Sequence, residues 1–325
     1  MNNSTQKVKL LVLYDILYRL TDEEHYLNTD EIIKLLADKG IAVSRKILRE
    51  DIKTLNDYGF DVMEEKKKYY YYYIANRSFE SAEISMLMDV VTASKLDAAQ
   101  KEQLLSKLAN TLGIHRARML LNHVITLDKP KHTNSHIIYS IDSLETAIDK
   151  KKKVSFRYFS LDYEGKKVYR KEGKRYVVNP LVMIWDRDNY YLVCYDDKHS
   201  DTMNYRVDRM ESVEIEEEDR LERTDLSNFN AEEYKLQMFS MFGGEVQKVE
   251  IQFSAGMIDD IYDKFGEGIY IKKHDENDYR AVVPIQVSKV FYSWVVGSQG
   301  KVHILSPHKV KEEFNEFVEK IKEEY

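Results

Sequence analysis

Arg206 follows Tyr205 directly and Arg209 stands three residues further on, and the alternating run before them carries Tyr190 and Tyr191. A strand bearing Arg206, with Arg209 just beyond it and tyrosines on its neighbour, offers guanidinium forks and aromatic faces to one ligand. Phosphates and bases both suit that chemistry. Arg157 and Tyr158, on an earlier strand, are placed to join the group. A second set is cationic. Arg45, Lys46, Arg49 and Lys53 share one side of a helical stretch that Ser44 is positioned to cap, and Lys66, Lys67 and Lys68 follow in a turn. Cations so arranged neutralise backbone phosphates. A charged helix face or a lysine turn taken alone is ordinary solvated surface, so the reading rests on their combination.

Bond-making chemistry is not indicated, and no enzyme is expected. The chain holds no nucleophile elbow, dinucleotide fingerprint or paired carboxylates in a recognisable frame. Gly297 to Lys301 has two residues between its glycines and Val302 after the lysine, where a phosphate loop needs four and a Ser or Thr. Asp275 to Asp278 lacks the ligand pattern of a calcium loop and reads as a hairpin turn. His132 and His136 have no cysteine or carboxylate cluster beside them, so neither metal nor cofactor is expected.

A net charge of −7 over 325 residues argues against a surface coated in positive charge, so any contact with nucleic acid must be local. A single cysteine, Cys194, precludes an internal disulfide and suits a reducing compartment. No apolar run approaches the roughly 18 residues that span a bilayer, and a cytoplasmic protein with no membrane contact is expected.

The elements that must position these residues follow from periodicity. Leu10, Leu13, Ile16, Leu17 and Leu20 predict a first helix; Thr29 is the expected cap of a second that Gly40 closes, and Ser44 of a third ending before Gly59. Strands at Phe60 to Met63 and Tyr69 to Ile74, around a tip at Glu64 to Lys68, complete a wing. Helix, turn and a capped helix with basic residues at its N-terminal end is the arrangement a major-groove reader needs. Phe79 to about Asn122 reads as a helical run, whose stripe of Ile84, Leu87, Met88 and Val91 packs either on a twin or on its own domain. A short helix at Leu144 to Ile148 precedes short strands at Val154 to Tyr158, Tyr176 to Pro180, Leu181 to Trp185, Tyr190 to Tyr195, Asn204 to Val207 and Ser212 to Glu216, which imply a small barrel or curled sheet. Alternating strands and helices from Val246 onward form an α+β pattern.

The stretch Asn28 to Val62, ending SRKILREDIKTLNDYGFDV, resembles the winged helix-turn-helix of DeoR-like regulators, which usually carry arginine at Glu50 and threonine at Ile47. NPLVMIWDRDNYYLVCYDDKHSDTMNYRVDRMESVEI resembles the centre of a WYL domain, whose fold is Sm-like. Tyr190, Tyr191 and Leu192 occupy the name-giving triplet, and Tyr205 to Met210 match the pattern aromatic, Arg, aliphatic, Asp, Arg, aliphatic. Met203 stands where many relatives have arginine. FYSWVVGSQGKVHILSP is similar to the extension that follows WYL domains.

The resemblance implies an α+β, multidomain bacterial transcriptional regulator. Its segments are a winged helix-turn-helix over 1–78, a helical linker over 79–136, an Sm-like small β-barrel WYL domain over 137–220, a linker over 221–245 and an α+β extension over 246–325. It implies a homodimer on double-stranded DNA, with Ser44, Arg45, Lys46, Arg49, Lys53 and Lys66 to Lys68 at the duplex. A nucleotide or short single-stranded nucleic acid would be the effector, held by Arg157, Tyr158, Tyr190, Tyr191, Tyr205, Arg206 and Arg209. The alternative is an accessory protein that binds single-stranded nucleic acid, its N-terminal domain serving assembly.

Overall fold

The computed structural model of the chain describes residues 3–123, 135–198 and 201–324, so His132 lies outside the described residues. The chain divides into two compact units, 1–135 and 136–325. Among the described residues no helix is long and apolar enough to cross a membrane.

The first unit opens with α1 (Asn3–Leu20), β1 (Leu27–Asn28), α2 (Thr29–Asp38) and α3 (Arg45–Asp57). The cap of α2 is Asn28, one residue before the expected Thr29. Its side chain accepts from the N–H groups of Asp30 and Glu31 while Glu31 accepts from the N–H of Asn28, so one capping box satisfies several orphan donors. Ser44 caps α3, accepting from the Ile47 N–H at 3.4 Å. β2 (Val62–Lys66) and β3 (Tyr70–Ile74) form an antiparallel hairpin that β1 extends beyond β3. Its tip is residues 67–69, later than the expected Glu64 to Lys68, because Glu64 and Glu65 pair with Tyr72 and Tyr71 within the ladder. Leu13, Leu17, Ile32, Leu36, Leu48 and Ile52 close over Tyr72 and Ile74 as one core.

The expected helical run is three helices, α4 (Ser81–Ala93), α5 (Ala98–Asn110) and α6 (Ile114–His123). Ser94 turns to extended geometry, Asp97 caps α5, and Gly113 breaks before α6 with φ of 85°. A Cβ at Gly113 would also lie 3.2 Å from the carbonyl oxygens of Tyr18 and Arg19, so close approach to the end of α1 requires glycine there. Two further contacts hold this approach. The Tyr18 hydroxyl donates to the Thr111 carbonyl at 2.8 Å, and the Arg77 guanidinium donates to the carbonyls of Tyr18 and Thr21. Ile84, Met88, Leu105, Ala109 and Leu112 pack together, while Leu87 faces solvent beside Met86 and Val90.

In the second unit α7 (Ile137–Asp149) is longer than the expected helix at Leu144 to Ile148, and Ile137, Leu144 and Ala147 are buried against the sheet. That sheet is antiparallel throughout: β4 (Lys152–Leu161), β5 (Lys167–Tyr169), β6 (Tyr176–Asp186), β7 (Asn189–Tyr195), β8 (Met203–Arg206) and β9 (Met210–Asp219). β4 pairs with β6 and β9 along its first part and with β5 at its end, and two register shifts against β9 mark where this ten-residue strand departs from regular pairing as the sheet curls. The two strands expected over Tyr176 to Trp185 are one, β6, carried past Pro180 by a register shift; proline lacks an N–H for the ladder.

After α8 (Ala231–Gln237) come β10 (Val246–Ser254), α9 (Ile258–Phe265), β11 (Ile271–Lys273), β12 (Asp278–Gln286), α10 (Lys289–Gly297), β13 (Val302–Ser306) and α11 (His308–Glu324). The order β11-β12-β10-β13 is that of a split βαβ arrangement. Alternate residues Val249, Ile251, Phe253, Val283 and Ile285 point inward onto Ile261, Phe291 and Val310 of the helices.

Lys9 of α1 and Asp51 of α3 form a 2.7 Å ion pair whose side chains are 12% and 11% exposed, and the second Asp51 carboxylate oxygen has no hydrogen-bond partner. Removing the cation leaves a nearly buried charge alone. Lys9→Met is expected to lower stability by about 3 kcal/mol in urea melts, and Lys9→Met with Asp51→Leu to recover most of it. Equal loss in the single and double variants would contradict this account.

Candidate functional site

The second unit holds an open cleft of about 1160 Å³. Its floor is β8 with Tyr191 of β7, one rim is the segment after β5, and the far wall comes from the chain around α8 and the start of β10. Of the expected ligand residues the cleft gathers Tyr158, Tyr191, Tyr205, Arg206 and Arg209. Arg157 and Tyr190 are not among its lining residues. Both are excluded by alternation, because neighbours on a strand point to opposite faces and Tyr158 and Tyr191 take the cleft side. Arg157 donates to the Ser212 hydroxyl at 3.2 Å and sits 5.6 Å from the Tyr169 ring centroid; Tyr190 packs edge-on against Trp185.

The two motif arginines have different occupations. Arg206 makes a forked pair with Asp208, at 3.0 and 2.7 Å, and Asp208 is 2% exposed. These hydrogen bonds raise the proton affinity of the guanidinium further, against the effect of burial. Asp208 thus belongs to the fold, paired with Arg206. Arg209 is half-buried, lines the cleft and has no carboxylate partner among the described residues. Tyr158 is 5% exposed, and its hydroxyl accepts from the Arg206 N–H at 3.1 Å. Burial raises the Tyr158 pKa, while the hydrogen bond from the Arg206 N–H and the charges of Arg209 and Arg170 oppose the rise.

Arg170 was missed by motif reading. It follows β5 and lies with its guanidinium 5.3 Å from the Tyr158 centroid, facing the cleft. The available signal was compositional: residues 166–175 hold six basic side chains and one acid. Arg223 also lines the cleft but is bound to Asp225, and Glu245 on the far wall pairs with Lys309 at 3.2 Å. Arg170 and Arg209 are therefore the cleft cations left for an anion, beside the faces of Tyr158 and Tyr191.

Aromatic packing holds the floor. Tyr205 meets Phe156, Tyr158 and Tyr176 edge-on at centroid distances of 5.3, 5.1 and 5.5 Å, and burial raises its hydroxyl pKa. Leu192 is fully buried. The far wall is tied to the floor by Tyr234 of α8, whose hydroxyl donates to Asn204 at 3.2 Å and lies 3.0 Å from the Thr202 hydroxyl. Asn204 in turn donates to the Met241 carbonyl. Lys264 of α9 donates to the carbonyls of Leu236 and Met238, 2.7 Å each, fixing the end of α8.

In the first unit, Lys46, Arg49 and Lys53 project from the exposed side of α3, and Glu50 shares that exposure. Arg45 is partly committed, making a forked pair with Asp30 of α2 at 3.0 and 2.8 Å. Arg49 stacks 4.2 Å from the centroid of Tyr70, the residue just after the hairpin tip, which joins α3 to β3. Lys66 lies near the same ring, Lys67 pairs with Glu65 at 3.0 Å over the Tyr26 ring, and Lys68 lies near Tyr69.

The curled antiparallel sheet presents arginines and tyrosines at an open cleft, a combination whose chemistry suits an anionic, planar group. Residues 140–215 match the model of the WYL domain family, so this segment of the chain is a WYL domain. Two solved structures are similar to the chain. One is proteasome accessory factor B/C (PafBC) of Arthrobacter aurescens, 18% identical, matched over 96% of this chain and 48% of that one, with a TM-score of 0.30. The other is a CRISPR Cas-related protein, 13% identical over 70% of this chain and 74% of that one, with a TM-score of 0.37. The chain spans about half the length of the PafBC chain. No curated protein sequence matches it.

Cys194 lies on β7 opposite Met203 of β8, fully buried, and burial pushes its thiol far above the ordinary range. Without thiolate it cannot attack a disulfide reagent. Native protein is expected to give no reaction with an aromatic disulfide over hours and one equivalent after denaturation. Rapid native labelling would mean that the β7–β8 floor opens readily.

Proposed function

We propose that the chain is a DNA-binding transcriptional regulator whose WYL domain senses a nucleotide or a short single-stranded nucleic acid. The observation that carries the reading is the solvent face of α3, with Lys46, Arg49 and Lys53 beside a lysine-tipped hairpin, on a chain that also holds the arginine-tyrosine cleft. In this reading α1 to β3 act as a winged helix-turn-helix, with α3 in the major groove and the hairpin as the wing on the phosphates. The curled sheet serves as a small Sm-like barrel around the effector site, in which Arg170 and Arg209 take the phosphate and Tyr158 and Tyr191 face the base.

The reading includes a homodimer in the cytoplasm of a bacterial cell, because a two-fold operator needs two recognition helices one DNA turn apart. The exposed Met86, Leu87 and Val90 of α4 offer an apolar face for that contact. It includes no turnover of the effector.

Glu50 on the exposed side of α3 favours a second reading, because an acid facing phosphate repels it. The protein would then be an accessory factor that binds single-stranded nucleic acid through the cleft, its first unit serving assembly.

One experiment separates the two. Mobility shift of intact protein with duplex DNA from its own upstream region, over a salt series, is expected to show binding that weakens steeply with salt. Arg49→Ala is expected to reduce it roughly tenfold, with Arg209→Ala leaving it unchanged in the absence of effector. Failure to bind any duplex at any salt, with single-strand binding lost only in Arg209→Ala, would replace the regulator by the accessory factor.

A further inference from the structure

Apart from Arg157, which bonds the Ser212 hydroxyl, the basic side chains on and between β4, β5 and β9 include two contrasting sets. Lys151, Lys152, Lys153, Lys166, Lys167 and Arg175 each pair with a carboxylate: Glu222, Asp219, Asp197 with Glu218, Glu164, Glu211 and Glu214 respectively. Arg170, Lys171 and Lys174, all exposed, have no carboxylate partner among the described residues. They occupy one loop between β5 and β6, whose only acid is Glu172.

Aromatic rings hold two of these cations in place of acids. Arg170 lies 5.3 Å from the Tyr158 centroid and Lys171 4.1 Å from that of Tyr176. A cation on a ring face keeps its charge and its outward N–H donors for an anion, whereas an ion pair uses both. The backbone is also set for this. Lys171, Glu172 and Gly173 have φ values of 50°, 56° and 78°, a left-handed run that L-residues adopt only against a steric penalty. Arg170 lines the cleft, so the loop begins at the cleft mouth and leads away from it.

We propose that this loop is an outer phosphate-binding track, continuous with the cleft, in which Lys171 and Lys174 hold the backbone of a nucleic-acid strand outside the site where Arg170 and Arg209 hold its end. The inference rests on the nucleic-acid reading of the cleft and sharpens it: the ligand is a strand of several nucleotides, and a free mononucleotide fills only the inner part. The volume agrees, since about 1160 Å³ exceeds the usual 300–1,000 Å³ of a small-molecule pocket.

The test is fluorescence anisotropy with end-labelled oligothymidylates of about two, four, eight and twelve nucleotides over a salt series, on the full chain. Wild-type affinity is expected to rise with length. Lys171→Ala with Lys174→Ala is expected to abolish that rise, to lower the salt slope by about 1.4 for two lost phosphate contacts, and to leave the shortest strand unaffected. Lys166→Ala with Lys167→Ala removes the same charge from paired positions and is expected to change neither property. A loop variant that keeps the wild-type length dependence and slope would overturn the track, as would an equal effect of the control pair. Failure of the underlying reading looks different: no strand of any length binds, or binding is indifferent to Arg209→Ala.

Discussion

The pair between Arg206 and Asp208 sets the rest of the cleft. Asp208 is buried where β8 turns into β9, and a buried carboxylate requires a cation with good geometry. The nearest fork is that of Arg206, two residues earlier. Because that arginine closes on the turn and its N–H bonds the Tyr158 hydroxyl, β8 is pinned to β4 at one point. Arg209, on the other side of the turn, is left to the cleft. One motif with two arginines thus supplies one structural cation and one open to a ligand.

The curled sheet is half of a site. Its open side is closed by chain from beyond the WYL domain: Tyr234 reaches Asn204, and Gln286 of β12 accepts from the Gly244 N–H at 3.3 Å. Gly244 passes so near the Val287 carbonyl that a Cβ would lie 1.9 Å from its oxygen, which only glycine permits. The same unit therefore contains both walls, and a ligand between them touches the sheet and the C-terminal extension together.

The first unit has a comparable economy of charge. Arg45 spans α2 and α3, Lys9 spans α1 and α3, and Arg49 lies on the hairpin ring of Tyr70. Of the basic residues on α3, Lys46 and Lys53 alone have no such contact among the described residues. A helix whose cations partly hold its neighbours, and which carries Glu50 among them, depends on few contacts for any grip on phosphate.

Sequence alone was sufficient for what local chemistry decides. Apolar periodicity placed the helices and most strands, Ser44 announced α3, and the Tyr205 to Met210 block marked the turn that carries the arginines. Errors of detail came where two local solutions compete, as Asn28 and Thr29 do for one cap, or where a strand continues through Pro180. What only the tertiary structure decided was which side chains share a space. Alternation along β4 and β7 removed Arg157 and Tyr190 from the cleft, and the burial of Asp208 took Arg206 out of the free charge. Arg170 entered from a loop with no periodic signal, because its position depends on the Tyr158 ring of a different strand. Residue types and spacing fix the chemistry a chain can offer, whereas availability depends on partners brought from distant segments, and only the packed structure determines those.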